Sequence, residues 1–365
     1  MSEGVFTIFN VVRIFTLATV AFFVTLAITP LWARILYKYK LGKQFKTETA
    51  FKILHTEGGP IAAKLHKDKQ GTPTMGGVVI WLTVSILAFG FWFLYKLYPD
   101  SSLGSLNFLS RSQTWVPLTA LIVAALFGLL DDALGVLKRG PWSGGLRMRD
   151  RLIMYALVGA GGAWWFYSKL GWDFINIPFL GDWTIGWFYI PFFTLLIMAS
   201  AFSANETDGL DGLAAGVFLV MFGAYAAIAF DQGRMDLVVF LAAIMGSLVA
   251  FLWFNIYPAK FFMGDTGSMS LGVTLGVVAM LTNTPFLLIP IAGIFIMESG
   301  SVLVQLTSKK FRGKKVFLST PIHHHFEALG WPETQVTMRF WMISAIGAII
   351  GLIIFLVDSK IPPLF

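Results

Sequence analysis

The chain has 365 residues, of which 56% are hydrophobic and only 13% are charged, and its mean hydropathy is +0.74. Because soluble domains contain about 25% charged residues, this composition excludes a soluble domain and predicts an integral membrane protein. The formal net charge of +7 does not indicate a nucleic-acid partner, since most basic residues lie in the connections between apolar segments. The absence of cysteine excludes disulfides and thiolate metal sites.

Apolar segments long enough to cross a bilayer, which takes about 20 helical residues, recur along the sequence. They predict an all-α polytopic integral membrane protein with about ten transmembrane helices in a single domain over residues 1–365. The predicted spans lie near 15–38, 74–98, 116–137, 150–169, 187–205, 212–230, 236–256, 268–283, 286–307 and 338–357.

The lysines and arginines predict the orientation, because they concentrate on cytoplasmic loops. With ten spans, 21 of the 27 fall on one side of the membrane, which places both termini on the opposite, periplasmic side. The carboxylates near helix ends fall on the same basic side; they are Asp131, Asp132, Asp208, Asp211, Asp265 and Glu298. We therefore predict an active site at the cytoplasmic face.

The segment 69–77, which enters the second predicted span, combines Lys69, the hydroxyl of Thr74 and several glycines. Such a glycine-rich helix entry suits an anion, although an ordinary helix cap explains it equally well.

Asp131 and Asp132 end the apolar stretch AALFGLLDDALGVL at 124–137. A carboxylate at the centre of a membrane helix costs about 2.5–3.5 kcal/mol, and the negative end of the helix dipole disfavours it further. Neighbouring helical residues diverge by about 100°, so one aspartate could hold a cation while the other handles a proton. The alternative is a solvated helix end.

Two loops carry further acidic and amide side chains. In 205–213, two Asp-Gly steps break the helix near Asn205, Asp208 and Asp211, and this loop contains no basic residue to neutralise them. In 254–268, Gly264 precedes Asp265 and permits close backbone approach to a ligand. Asn255, Ser268 and a base-stacking Phe261 or Phe262 complete this second candidate site. The alternatives are a structural turn for the first loop and membrane-interface anchoring for the phenylalanines.

Polar residues also mark the C-terminal third. Glu298 and Gln305 share one helix face and are expected to point into the bundle interior or a wet cavity, or else to bond a neighbouring helix. His323, His324 and His325 are consecutive, so their rings diverge and a single tetrahedral zinc site is not expected. Binding of phosphate or sugar oxygens suits them better, with a surface cluster as the alternative.

Carboxylates without thiolates favour Mg²⁺ or Mn²⁺ over zinc. Together with lysine, histidine and glycine turns on one membrane face, they indicate a phosphoryl-transfer centre that joins a nucleotide substrate to a lipid. A cation-coupled transporter is the alternative from another class, but it predicts midplane acids and an inverted repeat, and the sequence shows no repeat.

Six motifs resemble the bacterial phospho-N-acetylmuramoyl-pentapeptide-transferase family over essentially the whole chain. They are GTPTMGG at 71–77, LDD at 130–132, NETDGLDGLAAG at 205–216, FNIYPAKFFMGDTGSMSLG at 254–272, STPIHHHFEALGWPE at 319–333 and VTMRFW at 336–341. PIHHHFE followed by GWPE separates this family from related N-acetylhexosamine-1-phosphate transferases, which remain the nearest alternative. The resemblance departs at Glu206, where relatives often have leucine, and at Gly135, where many have a basic residue.

The resemblance implies transfer of phospho-MurNAc-pentapeptide from UDP-MurNAc-pentapeptide to undecaprenyl phosphate in the bacterial cytoplasmic (inner) membrane, giving lipid I and UMP. It implies a homodimer embedded in membrane lipid and a Mg²⁺ cofactor, with Mn²⁺ as a substitute. Asp265 would bind the metal near Asp131 and Asp132, and Asp131 would act as base or lipid-phosphate partner. Phosphate contacts would come from Lys69, His323, His324 and His325; the nucleoside pocket from Asn205, Asp208, Asp211, Asn255 and Phe262; and a sugar or nucleotide contact from Gln305.

Overall fold

The computed structural model describes residues 3–39, 41–42, 69, 71–137 and 145–359, with only the backbone described for 3–7. Its helices are α1 (Glu3–Lys38), α2 (Val78–Leu97), α3 (Trp115–Leu137), α4 (Met148–Leu170), α5 (Tyr189–Thr207), α6 (Leu213–Asp231), α7 (Met235–Asn255), α8 (Asp265–Leu281), α9 (Leu288–Ile291), α10 (Gly293–Arg312), α11 (Ile322–Ala328) and α12 (Glu333–Asp358). Every predicted span corresponds to helix in the structure.

Seven helices of the described chain are long and apolar enough to cross a membrane, namely α1, α2, α3, α5, α6, α7 and α12. A bent pair, Pro285–Ile291 and Gly293–Arg312, raises the number to eight if it forms one span. The chain is therefore a mostly helical, multi-pass membrane protein. The count of ten and the positions of the termini stay predictions.

Three predicted spans depart from straight apolar helices. α4 carries charged residues near both ends, and α8 has only 17 residues. The predicted ninth span is broken, because α10 turns by 84° from the segment before it. Pro290 lies within the short α9 and supplies no backbone N–H, which is a common cause of such a break.

A β-hairpin between α4 and α5 corrects the all-α prediction. Its strands β1 (Phe174–Ile177) and β2 (Gly181–Thr184) pair antiparallel. Asn283, in the turn after α8, bonds both strands: its side chain accepts from the Asn176 N–H at 2.9 Å and donates to Asp182 at 3.0 Å. Strands of four residues are too short to show the alternation that predicts a half-buried strand.

α8 lies at the centre of the bundle, and every residue from Thr266 to Leu281 is buried. α3 and α2 approach its first turn closely because glycines face it. A Cβ on Gly128 of α3 would lie 2.2 Å from the Asp265 carbonyl oxygen, and one on Gly77 would lie 2.3 Å from the Gly267 Cα. Small residues permit such contacts between membrane helices. As a result, the end of α3 and the entry to α2 meet at the start of α8.

Candidate functional site

The aspartates of α3 reach the first turn of α8. Asp132 is buried; its Oδ2 accepts a hydrogen bond from the Thr266 backbone N–H at 3.0 Å, and its Oδ1 accepts one from the Thr74 hydroxyl at 3.3 Å. A carboxylate at a helix N-terminus satisfies an amide that lacks a partner within the helix and interacts favourably with the helix dipole. Asp132 therefore fixes α8 relative to α3.

Asp131 and Asp265 converge on Arg151, which lies in the first turn of α4. The Arg151 Nε is 2.5 Å from Asp131 Oδ2, and its Nη2 is 2.9 Å from Asp265 Oδ2. Asn205, at the end of α5, accepts from Arg151 Nη1 at 3.2 Å and donates to the other oxygen of Asp265. We call Asp131, Arg151, Asn205 and Asp265 the acidic cluster. It joins four helices at one end of the bundle.

Sequence reasoning counted Arg151 only as a basic residue near a loop. The signal that could have identified it is its place inside the predicted span 150–169, because an arginine within a membrane helix usually faces a partner or a wet cavity.

The acidic cluster offers oxygen donors of the type that Mg²⁺ prefers, namely the carboxylates of Asp131 and Asp265 and the amide of Asn205. Asp132 instead faces the α8 amides. Across the described ranges, no three His, Asp or Glu side chains are arranged to hold one metal ion. Both the metal and its predicted ligands Asp131, Asp132 and Asp265 stay predictions.

The loop after α5 is held by backbone amides and a lysine. Asp208 accepts a hydrogen bond from the Gly264 N–H at 3.0 Å. Asp211, which is 3% exposed, accepts from the Ala259 N–H at 2.9 Å and pairs with Lys69 Nζ at 2.5 Å. Asn255 accepts from the Gly212 N–H at 3.2 Å. These contacts fasten the 208–213 loop to the 256–264 loop.

Lys69 also contacts Glu333, the first residue of α12, which sequence reasoning missed. The Lys69 Nζ lies 5.8 Å from the centre of the Phe262 ring and 6.0 Å from that of Tyr257. We call Lys69, Asp211, Tyr257, Phe262 and Glu333 the lysine cluster. It combines a cation that has three donors with an adjacent, half-buried aromatic face.

Phe261 belongs to the protein interior. It is fully buried, and its ring centre lies 5.6 Å from that of Phe251 and 6.1 Å from that of Phe254. It neither anchors the chain at the membrane interface nor offers a face to a ligand. Of the two candidate phenylalanines, Phe262 is therefore the one that a base could stack on.

The three histidines face different partners, as expected for consecutive rings. His323 is fully buried, with Nδ1 2.9 Å from Glu298. His324 lies 2.7 Å from Glu327, and His325 accepts from the Leu318 N–H at 3.2 Å. Glu298 thus bonds a neighbouring helix, which is the alternative that the sequence left open for it.

His323 also adjoins the 208–213 loop, because a Cβ on Gly209 would lie 2.2 Å from its Nε2. Ser268 is one turn into α8, where its hydroxyl donates to the Gly264 carbonyl at 3.1 Å. Gln305 contacts neither cluster through the bonds of its side chain: its amide bonds the backbone of Val316 and Phe317 at 2.9–3.0 Å. Its predicted substrate contact stays a prediction.

Comparison with known proteins gives matches to two family models and to named relatives. The model of Glycosyl transferase family 4 matches residues 114–283, and Phospho-N-acetylmuramoyl-pentapeptide-transferase signature 1 matches residues 69–80. The phospho-N-acetylmuramoyl-pentapeptide-transferase of Geobacillus kaustophilus (strain HTA426) is 36% identical over 92% of this chain and 95% of the relative. Those of Clostridium novyi (strain NT) and Clostridium botulinum (strain Eklund 17B / Type B) are 35% and 34% identical, over 91% and 90% of this chain and 94% and 92% of the relatives.

The ion pairs of Arg151 predict a loss of stability when they are removed. Arg151→Gln leaves Asp131 and Asp265 without the cation between them. Breaking a fully buried ion pair costs about 3–5 kcal/mol, and these pairs, whose arginine side chain is 20% exposed, should cost less than that. We expect a clearly lower thermal unfolding midpoint in detergent at neutral pH. Arg149→Gln is the matched control, because that side chain is 77% exposed and should leave the midpoint unchanged. Equal midpoints for both variants would contradict the bridging role.

Proposed function

This chain belongs to the phospho-N-acetylmuramoyl-pentapeptide-transferase family, and we propose that it transfers phospho-MurNAc-pentapeptide from UDP-MurNAc-pentapeptide to undecaprenyl phosphate. The products are lipid I and UMP, and the step is the first membrane reaction of peptidoglycan synthesis, carried out in the bacterial cytoplasmic membrane. The observation that carries the proposal is the meeting of Asp131 and Asp265 at one end of the bundle, within a chain that its relatives match almost throughout.

The two clusters suit the two phosphorylated substrates. The lysine cluster would receive the UDP end of the donor, with uracil stacked on Phe262 and the pyrophosphate near Lys69. An ammonium group has three N–H donors, so Lys69 can contact a phosphate while it remains paired with Asp211. Asp208 and Asn255 fasten together the two loops beside this cluster.

The acidic cluster would receive the acceptor phosphate. Asp131 is buried at the end of a membrane-spanning helix, where it can take the proton of a lipid phosphate that approaches along the bilayer surface. Arg151 beside it presents a guanidinium of the kind that binds phosphate oxygens in a bidentate manner. Asp132 is a positioning residue in this scheme, since it holds the start of α8 and thereby Asp265.

The carboxylates of Asp131 and Asp265 and the amide oxygen of Asn205 are oxygen donors of the kind that Mg²⁺ takes, and they would hold this ion or Mn²⁺ in its place. When bound, the ion supplies charge neutralisation at the phosphate oxygens. Because Arg151 contacts the same two carboxylates, it keeps their repulsion low and their positions fixed for ion and substrate. On the family resemblance alone, we propose further that the enzyme is a homodimer.

Substrate choice tests the proposed function against its nearest rival. The purified enzyme is given polyprenyl phosphate and either radiolabelled UDP-MurNAc-pentapeptide or UDP-GlcNAc, and lipid extraction measures the product. We expect labelled lipid and UMP only with the first donor, and UMP release that requires both polyprenyl phosphate and Mg²⁺. Chelation should abolish release, and Mn²⁺ should restore part of it. Transfer from UDP-GlcNAc alone would assign the related sugar-1-phosphate transferase activity instead.

Removal of the Asp265 charge should lower turnover. Asp265→Asn keeps the shape but loses the carboxylate that would hold the Mg²⁺ ion at the reacting phosphates, and losing such preorganised electrostatic stabilisation is expected to cost about 100-fold or more. Turnover in detergent at saturating substrates measures the effect. Asp100→Asn, on the exposed turn after α2, is the control that should retain wild-type turnover. A wild-type rate for Asp265→Asn would refute the catalytic role.

Phe262 should matter for the nucleotide substrate alone. Base stacking on an aromatic side chain contributes about 1–3 kcal/mol, so Phe262→Ala should raise the KM for UDP-MurNAc-pentapeptide about tenfold or more. The KM for polyprenyl phosphate should stay unchanged. Phe311→Ala provides the control, because that ring is 77% exposed at the end of α10. Equal increases in both KM values would count against stacking.

A further inference from the structure

A cavity of about 700 Å³ lies between α3, α4 and α8, near the helix ends opposite the acidic cluster. Arg111 and Trp115 stand at its outer end, and Val123 marks its inner reach on α3. At a rise of ~1.5 Å per residue, Trp115 is about 24 Å from Asp131 along the helix, and the cavity extends about 12 Å inward. It is therefore separate from the proposed transferase site.

The cavity is shaped for an elongated apolar group. Leu157, Val158 and Trp165 of α4 line it, and Gly161 leaves its wall open, since a Cβ there would meet no atom within 4 Å. Its volume falls within the range of about 300–1,000 Å³ that is usual for small-molecule sites. A hydrocarbon chain satisfies such a lining without burying a polar group.

The mouth of the cavity carries one positive charge. Arg111 is exposed and is the only charged residue in the lining, and no carboxylate of the described chain forms an ion pair with it. Trp115 and Trp165 are 36% and 44% exposed. Tryptophans at this depth are typical of the boundary between hydrocarbon and headgroups, and an arginine there suits a phosphate.

We propose that this cavity binds one anionic phospholipid, with an acyl chain along α3 and α4 and the headgroup phosphate on the Arg111 guanidinium. The lipid lies in the leaflet opposite the acidic cluster and takes no part in the transfer reaction. An anionic headgroup is preferred over a zwitterionic one, because the ammonium of the latter weakens its attraction to Arg111.

Native mass spectrometry of the delipidated full chain tests this site. The protein is offered equimolar phosphatidylglycerol and phosphatidylethanolamine, and the bound lipids are counted by class. The wild type is expected to retain one phosphatidylglycerol in preference. Arg111→Gln should lower the preference about fivefold. Lys96→Gln is the control: it removes an exposed charge in the last turn of α2, and it should leave the preference for phosphatidylglycerol unchanged.

A second pair of variants tests the cavity itself. Gly161→Leu fills the space and should abolish retention of the lipid. Gly90→Leu makes the same change on α2, where a Cβ also meets nothing within 4 Å, and should have no effect. The unfolding midpoint without lipid establishes that Gly161→Leu is folded; otherwise Arg111→Gln alone decides.

Three results would overturn the proposal. Equal retention of both lipids by the wild type would identify only non-specific lipid around the protein. Retention that neither Arg111→Gln nor Gly161→Leu alters would lead to the same conclusion. Displacement of phosphatidylglycerol by polyprenyl phosphate at this cavity assigns it to the acceptor substrate instead. Turnover assays on the same variants keep the two proposals distinguishable, since none of the altered residues belongs to either cluster.

Discussion

The contact between Asp132 and the first turn of α8 is the interaction on which the site depends. It can form only because Gly128, one turn earlier on α3, lets the two backbones touch. The same approach that places one carboxylate on the helix amides places its neighbour Asp131 opposite Asp265. The dipole of α8, the close approach at Gly128 and the adjacent pair Asp131 and Asp132 together determine the geometry of the site.

Burial of these charges is tolerable because most of them meet a partner on another helix. Arg151 serves two carboxylates, Lys69 serves two more, and Glu298 meets a histidine. Leaving one of these groups unpaired in a membrane protein would cost far more than a surface pair gains. The partners come from α4, the segment before α2, α11 and α12, so the site is complete only when the whole bundle has assembled.

Sequence alone predicted most of this architecture, since apolar length is a strong signal and the motif residues bear chemistry that membrane helices otherwise avoid. It did not reveal the hairpin, whose strands are only four residues long, or the sharp bend before α10. It also could not foresee that Asp132 would cap a helix or that Phe261 would be core while Phe262 stays accessible. Those outcomes depend on which side of a helix or turn faces a neighbour, and one-dimensional spacing does not determine this. Arg151 was missed because it was counted only as a basic residue near a loop, and Glu333 was noted only as the last residue of the GWPE motif, with no role assigned to its side chain.

The short length of α8 has a consequence for where chemistry can occur. Seventeen residues extend about 25 Å, which is less than the hydrocarbon thickness of about 30 Å. Because residues 266–281 of α8 are all buried, its neighbouring helices take up this mismatch and the lipid does not. A helix of about 25 Å that is centred in a layer of about 30 Å begins about 2–3 Å inside its edge, and Asp265 is the first residue of α8. In that position a water-soluble donor would have to reach slightly into the bundle, whereas a membrane-bound acceptor would need only a short movement along and into the bilayer.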